Sequence, residues 1–244
     1  MAAPKPAPAL KMVTMLLPPP FPADCRLVVF DLDGTLYRQS RLRWTMLGEL
    51  LTEGGAGKLR RIRDLGRFRK LREDMSDAGQ PGFDAELFRR AAALTGRSEK
   101  DMRALVQVWM EERPLRHLRA ARVEGTAELF EALRAKGISI AIWSDYPIAA
   151  KRAALGLKAD LVLAATDPEL DTLKPNPHGL SMLLDRAGCR PDQALMVGDR
   201  MSRDGKAAAA LGVAFLLRST RDGPAGVPRV VDFKALAGAV LTAT

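Results

Sequence analysis

Residues 28–37 read VVFDLDGTLY, an apolar run that ends in two acidic residues and a glycine. Alternate residues of a strand point to the same face, so Asp31 and Asp33 would share one face if the extended geometry continues to them. Two neighbouring carboxylates repel each other unless a divalent cation binds them or one of them stays protonated. Both arrangements suit phosphoryl transfer, in which one carboxylate attacks and the other moves a proton. Taken alone, the same residues are equally compatible with a capped turn after a strand.

Short apolar runs, each followed by a helical pattern, recur along the chain as RLVVF, ISIAIW, DLVLA, ALMVG and VAFLL. This alternation predicts an α/β fold in which a parallel sheet is covered by helices on both faces. Ligands of such sheets bind beyond the carboxyl ends of the strands. The polar residues that follow the runs are therefore the first candidates for a site: Asp31, Asp33, Ser144 and Asp199.

Helix signals support the same alternation. Pro147 is a plausible first residue of one helix, Asn176 and Pro177 resemble the start of another, and Gly156 is a plausible helix end. We therefore expect one helix to begin at Pro147 and another at Pro177, with Asn176 as its N-cap.

Between the first two runs, the apolar residues repeat with a helical period and show no strand pattern. Residues 38–122 are therefore predicted to form an all-helical insertion, with Ser98 and Asp101 resembling a capping pair. Within it, residues 58–72 hold eight Lys and Arg. We interpret this helix as a solvated basic face opposite a buried apolar stripe.

The predicted division of the chain has three parts. Residues 1–24, rich in proline and alanine, are expected to be a flexible segment. Residues 25–37 and 123–244 are expected to form the core, and residues 38–122 a helical cap.

Composition bounds the class of protein. The chain has 244 residues, 47% of them hydrophobic, which is enough for a substantial core. The longest apolar stretch near the start is broken by prolines, so a cytoplasmic protein without a membrane segment is expected. The formal net charge of +9 favours anionic partners without choosing among metabolites, nucleic acid and acidic surfaces.

The sequence DLDGTLY resembles the first motif of the haloacid dehalogenase-like (HAD) hydrolase superfamily, and further motifs follow in the same order. Ser144 matches the second motif, Lys174 in LKPNP the third, and Asp199 and Asp204 in VGDRMSRD the fourth. The resemblance covers about residues 26–217 apart from most of the insertion. It implies a Rossmann-like three-layer core with an inserted helical cap of the C1 type.

The resemblance also implies roles for these residues. Asp31 would be the nucleophile, Asp33 the general acid and base, and Ser144 and Lys174 would hold the phosphoryl group. Mg²⁺ would be bound by Asp31, by the backbone carbonyl of Asp33 and by Asp199, with Asp204 in support.

Asp33 favours a phosphatase among the activities of this superfamily, because members that displace halide lack an acid there. A phosphomutase would use the same acids and stays an alternative. A second alternative, from another class, is a catalytically retired scaffold that binds nucleic acid through its basic cap, although 5% aromatic residues offers little for base stacking.

A C1 cap implies a small soluble phosphorylated substrate, which we expect to be processed by a monomer or homodimer. Four residues are candidates for contact with that substrate: Arg38, Arg41 and Arg43, which follow the first motif, and Asp145, which follows Ser144.

Overall fold

The computed structural model of the chain describes residues 21–53, 55–76 and 83–242. Within them, a six-stranded parallel sheet has the order β3-β2-β1-β4-β5-β6. The strands are β1 (Leu27–Asp31), β2 (Ser139–Ser144), β3 (Leu161–Ala164), β4 (Ala194–Gly198), β5 (Ala214–Arg218) and β6 (Arg229–Val230). The strands predicted at the five apolar runs are confirmed. The short β6 has no apolar run, and the sequence did not predict it.

Helices cover both faces of the sheet, as predicted. On one face, Val28 and Phe30 of β1 pack in the same core as Phe130 and Phe233. On the other face, Leu27 and Val29 belong to a second core. The helices of the sheet layers are α6 (Thr126–Ala135), α7 (Ala149–Leu155), α8 (His178–Ala187), α9 (Lys206–Leu211) and α10 (Lys234–Thr242). The three-layer α/β fold is therefore confirmed.

The segment between β1 and β2 also contains helices α1 (Gln39–Glu53), α2 (Lys58–Ser76), α3 (Phe83–Thr95), α4 (Glu99–Val106) and α5 (Leu115–Ala121). A π-helical turn, Gln107–Glu112, continues α4. The chain enters and leaves the insertion side by side, because the amide of Arg38 donates to Ala121 and the amide of Val123 donates to Leu36. Most of the Pro-rich segment predicted at 1–24 lies outside the described residues.

Two helix starts differ from those predicted. The helix after β2 begins at Ala149 rather than Pro147, and α8 begins at His178. Asn176 still contributes a turn, since its side chain accepts a hydrogen bond from the amide of His178 at 3.0 Å. Gly156 ends α7 in the left-handed conformation, and the Oγ of Ser98 accepts a hydrogen bond from the amide of Asp101, both as predicted.

The basic helix α2 differs in part from the interpretation as a solvated basic face. Leu65 and Phe68 are buried as expected, but Leu59 is 72% exposed. Arg72 is 4% exposed, because α2 carries its C-terminal half toward the sheet edge. In the ranges that the structure describes, none of the helices combines the length and apolar character that a membrane crossing requires.

Candidate active site

The sheet order brings the predicted residues to one edge. Strand β1 lies between β2 and β4 in the sheet, with Asp31 opposite Trp143 in the register. Asp31 ends β1, Ser144 ends β2, and Asp199 directly follows β4. Asp31 and Asp199 therefore line one cleft at the carboxyl ends of adjacent parallel strands, whereas Ser144 is fully buried and contacts the cleft residue Asp33.

Three carboxylates form an acidic cluster in that cleft. Ligand oxygens of Asp31, Asp199 and Asp204 lie within 4.8 Å of one another. Burial raises the pKa of Asp31 well above its usual range; Lys174 lowers it, and Asp204 and Asp199 raise it. Burial, followed by repulsion from Asp204, raises the pKa of Asp199 to about 6. Carboxylates this crowded fit a hard divalent cation with oxygen ligands, which would relieve their repulsion.

Lys174 is buried beside the same cluster. Its Nζ lies 2.7 Å from Oδ1 of Asp31 and 2.8 Å from Oδ1 of Asp204, and it donates to the carbonyl of Trp143 at 3.0 Å. Burial lowers the pKa of Lys174, but the attraction of Asp204 and Asp31 outweighs that effect and raises it above its usual range. An ammonium group therefore faces the place where an anion would meet Asp31.

Asp33 has different partners, although it is two residues from Asp31. Its Oδ1 accepts from Lys151 Nζ at 2.5 Å and from the Tyr37 hydroxyl, and its Oδ2 accepts from Ser144 Oγ at 2.9 Å. Burial raises the pKa of Asp33, but Lys151 outweighs burial and the pKa lies below its usual range. The two carboxylates of the first motif are thus held in separate environments.

A glycine permits the close approach of the first motif to Asp199. Gly34 has φ +105°, and a Cβ built there would lie 2.1 Å from Oδ2 of Asp199. The carbonyl of Gly34 accepts a hydrogen bond from the buried Arg218 at 2.8 Å. The turn that follows Asp33 therefore depends on the absence of a side chain at this position.

The cleft has two adjoining parts. One, of about 470 Å³, contains the acidic cluster together with Arg200 and Arg203. The other, of about 530 Å³, is lined in large part by apolar side chains of the insertion, namely Leu42, Met46, Trp109, Met110, Pro114 and Leu118. Asp33, Gln39, Arg43, Arg69 and Tyr146 line both parts.

Side chains of α2 connect the insertion to the sheet edge. Arg72 donates to the carbonyl of Asp145, and its guanidinium lies 4.1 Å from the centre of the Tyr146 ring. Glu73 forms an ion pair with Arg200 at 3.3 Å. The insertion is thereby held over the cleft at its α2 side.

The structure distributes the four predicted substrate contacts unevenly. Arg43 lines both parts of the cleft. Arg38 lies 3.8 Å from Glu124, and Arg41 is exposed. Neither arginine is among the described residues that line the two parts of the cleft. Asp145 lines the acidic part, but its carboxylate already accepts from the Lys174 amide at 3.1 Å and pairs with Arg203 at 3.2 Å.

Sequence reasoning missed Lys151, Arg69 and Arg203 as residues of the cleft. Lys151 lies in the first turn of α7, directly after the site residues of β2. Its position could have indicated a cleft residue, because α7 is the first helix after β2, and β2 ends in the predicted site residue Ser144. Arg69 belongs to the basic helix α2, whose charge was interpreted as solvated.

Residues 25–212 match the sequence profile of the haloacid dehalogenase-like hydrolases. A phosphoglycolate phosphatase from Rhodospirillum rubrum is 37% identical over 98 residues, which cover 39% of this chain and 40% of that protein. The chain is thus similar to this curated relative over less than half of the relative's length.

Two solved structures share the fold. A 2-haloacid dehalogenase from Pseudomonas syringae pv. Tomato DC3000 is 20% identical with a TM-score of 0.62, covering 88% of this chain and 98% of its own. A HAD phosphatase from Thermococcus onnurineus is 22% identical with a TM-score of 0.61, covering 87% and 96%. At such identities, the likeness concerns the fold alone.

Proposed function

The chain belongs to the haloacid dehalogenase-like hydrolases, and on that premise we propose that it is a Mg²⁺-dependent phosphatase of small phosphomonoesters. In this proposal Asp31 is the nucleophile and Asp33 the general acid and base. The helical insertion, residues 38–122, acts as the cap that encloses the leaving group.

The observation that carries the proposal is the separation of the two acids. Asp31 lies against Lys174 and the acidic cluster, whereas Asp33 lies against Lys151, Tyr37 and Ser144. A nucleophile must approach a negatively charged phosphoryl group, so it needs nearby positive charge. An acid–base group must reach the leaving oxygen, so a place between the two parts of the cleft suits it.

The residues for a cation are Asp31, Asp199 and Asp204, with the backbone carbonyl of Asp33 as a further candidate oxygen. A bound Mg²⁺ would supply positive charge to the phosphoryl oxygens. Lys174 supplies charge to the same region from its buried position.

The proposed reaction has two steps. In the first, a carboxylate oxygen of Asp31 forms a bond to phosphorus and the bond to the leaving alcohol breaks. Asp33 gives a proton to the departing oxygen, and because its pKa is low in the free site it must take up that proton from solvent when the substrate binds. In the second, Asp33 accepts a proton from water, whose oxygen bonds to phosphorus while the bond to Asp31 breaks. Phosphate is released and both carboxyl groups return to their starting states.

Ser144 has a more specific role in this proposal than the resemblance implies. Its Oγ donates to Asp33 and accepts from the Tyr146 amide at 3.0 Å. We assign Ser144 to the orientation of Asp33, since its hydroxyl proton is already directed there.

The basic helix α2 gives the nucleic-acid alternative little support. Arg60, Arg63 and Arg97 all lie within ion-pair distance of the buried Asp64. Arg67 donates to the carbonyl of Leu94 at 3.2 Å. These arginines have partners within the insertion, so much of the positive charge on α2 is used in packing it.

The test is phosphate release from a panel of phosphorylated metabolites, measured with Mg²⁺, with chelator and with the Asp31→Asn variant. We expect release that both the chelator and Asp31→Asn abolish. Equal release by wild type and Asp31→Asn would disprove the nucleophile assignment. A phosphomutase would instead transfer the group to a second hydroxyl of a sugar phosphate, which ³¹P NMR of the products distinguishes.

A further inference from the structure

Two arginines of the insertion face the cleft without a counter-ion. Arg43 of α1 and Arg69 of α2 line both the acidic and the apolar part. Both also line a third cavity of about 360 Å³ between Leu50, Ile62 and neighbouring side chains. Among the described residues, no carboxylate lies within ion-pair distance of either guanidinium.

The other cations of the cleft differ in this respect. Lys151 pairs with Asp33, and Lys174 with Asp31 and Asp204. Arg200 and Arg203 likewise pair with carboxylates, those of Glu73 and Asp145. The unbalanced positive charge of the cleft therefore lies on the side of the insertion, opposite the strand ends.

A half-buried guanidinium next to a second cation is unfavourable without an anion. Burial, followed by repulsion from Arg43, lowers the pKa of Arg69 below its usual range. Two guanidinium groups present planar arrays of donors that match the oxygens of a carboxylate or phosphate. A bound anion would both relieve the repulsion and satisfy these donors.

The position of Arg43 and Arg69 in the cleft indicates which part of a bound substrate they would contact. Phosphorus must lie next to Asp31, where Lys174 provides positive charge. The leaving group then extends past Asp33 into the apolar part, beside Leu42, Met46 and Trp109. Arg43 and Arg69 line the same apolar part and would lie beside the leaving group.

We propose that the leaving group of the substrate carries an apolar body and a second anionic group, and that Arg43 and Arg69 bind this second anion. This inference rests on the proposed phosphatase function. The substrate class is thus a phosphomonoester of an anionic alcohol, with a carboxylate or a second phosphate as the shared recognition chemistry.

The kinetic test uses pairs of substrates that differ in one charge. The probes are 4-carboxyphenyl phosphate against 4-carbamoylphenyl phosphate, and 2-phosphoglycolate against its amide. We expect wild type to favour the anionic member by about tenfold or more in kcat/KM, as for one charge-assisted contact. A third substrate, in which a phosphonate replaces the carboxylate of 4-carboxyphenyl phosphate, shows by its kcat/KM which of the two anions the site prefers.

Arg69→Met and Arg43→Met should each reduce this preference toward unity. Arg67→Met is the matched control, because Arg67 is exposed on the same helix and should leave the preference unchanged. Thermal melting verifies folding, and Arg43→Met is the safer variant because Arg43 is the more exposed of the two.

Two results would overturn the inference. One is a wild type that does not prefer the anionic member of either pair. The other is an equal loss on charged and neutral substrates in both variants, which would assign the arginines to the phosphoryl group itself.

A binding measurement separates this inference from the phosphatase proposal. Calorimetric titration of 4-hydroxybenzoate against 4-hydroxybenzamide requires no turnover. Tighter binding of the carboxylate that is lost in Arg69→Met supports the anion site even if no phosphate is released. Equal binding of the two compounds to wild type contradicts the site even if the enzyme is an active phosphatase.

Discussion

Nζ of Lys151 lies 2.5 Å from Oδ1 of Asp33, and both side chains are at most 10% exposed. The hydroxyl groups of Tyr37 and Ser144 donate to the same carboxylate. Three donors from different parts of the chain therefore fix the orientation of the Asp33 side chain. Any acid–base role of Asp33 depends on this arrangement, because proton transfer requires a carboxyl oxygen within hydrogen-bond reach of the reacting oxygen.

Replacing Lys151 by Met should slow the hydrolysis of alkyl phosphates by at least about tenfold, a part of the 10²–10⁴ that general acid–base catalysis contributes. The reason is that Asp33 loses its ammonium partner and its fixed orientation. We expect a smaller loss with p-nitrophenyl phosphate, whose leaving group needs little protonation. The measurement is kcat on both substrates.

Lys151→Arg keeps the positive charge and should recover part of the activity on alkyl phosphates. Lys158→Met is the control, because Lys158 is an exposed residue after α7. An equal fall in kcat on both substrates in Lys151→Met would contradict a role that acts through Asp33.

Gly34→Ala should abolish metal binding as well as activity. A Cβ at this position would lie 2.1 Å from Oδ2 of Asp199, so that carboxylate must leave the acidic cluster. Gly212→Ala is the matched control, since Gly212 also has a positive φ, +69°, with nothing within 4 Å of its Cβ position. Gly212→Ala should lose about 1–2 kcal/mol of stability from the strained backbone, and Gly34→Ala should lose more because its Cβ also overlaps Asp199. Only Gly34→Ala should fail to bind Mg²⁺ in a calorimetric titration, and normal binding by it would contradict the cluster.

The sequence predicted those features that depend on local pattern. Strands buried on both faces appear as apolar runs, and all five such runs are strands of the sheet. Asp31, Ser144 and Asp199 could be selected because parallel strands bring their carboxyl ends to one edge. The edge strand β6 has two residues, Arg229 and Val230, so it produces no such run.

The cleft residues that the sequence did not predict lie on helices, and whether such a residue faces the cleft depends on the rotation of its helix about its own axis. Lys151 and Arg152 are neighbours on α7, and of these two basic residues it is Lys151 that pairs with Asp33. Each residue of error in a helix start rotates its faces by about 100°. The start predicted at Pro147 is two residues before Ala149, so it could not tell which basic residue faces the cleft. For the same reason, the sequence could not tell that Arg69, among the basic residues of α2, faces the cleft.

Arg72→Met should destabilise the protein by about 1–3 kcal/mol, as expected for loss of a buried hydrogen bond from a charged group and a cation–π contact. Arg72 is 4% exposed, donates to the Asp145 carbonyl and lies over the Tyr146 ring. The measurement is the free energy of unfolding in urea. Lys70→Met on the exposed side of α2 should change it by less than about 0.5 kcal/mol, because the ion pair of Lys70 with Asp74 is exposed to solvent. Equal effects of the two substitutions would show that Arg72 does not stabilise the contact between insertion and sheet.

Glu49 should make the stability of the insertion depend on pH. Its carboxylate lies 2.5 Å from both Arg116 and His117, and these contacts outweigh burial and lower the pKa of Glu49 below its usual range. A carboxyl group whose pKa is lower in the folded state stabilises it above the unfolded pKa. That contribution is lost as the pH falls through the folded pKa. We therefore expect Glu49→Gln to cost about 0.5–1 kcal/mol near pH 7 and clearly less at an acidic pH below the folded pKa of Glu49. Urea denaturation at both pH values measures the difference, with Glu111→Gln as control. A cost that is the same at both pH values would mean that Glu49 acts by packing rather than by its charge.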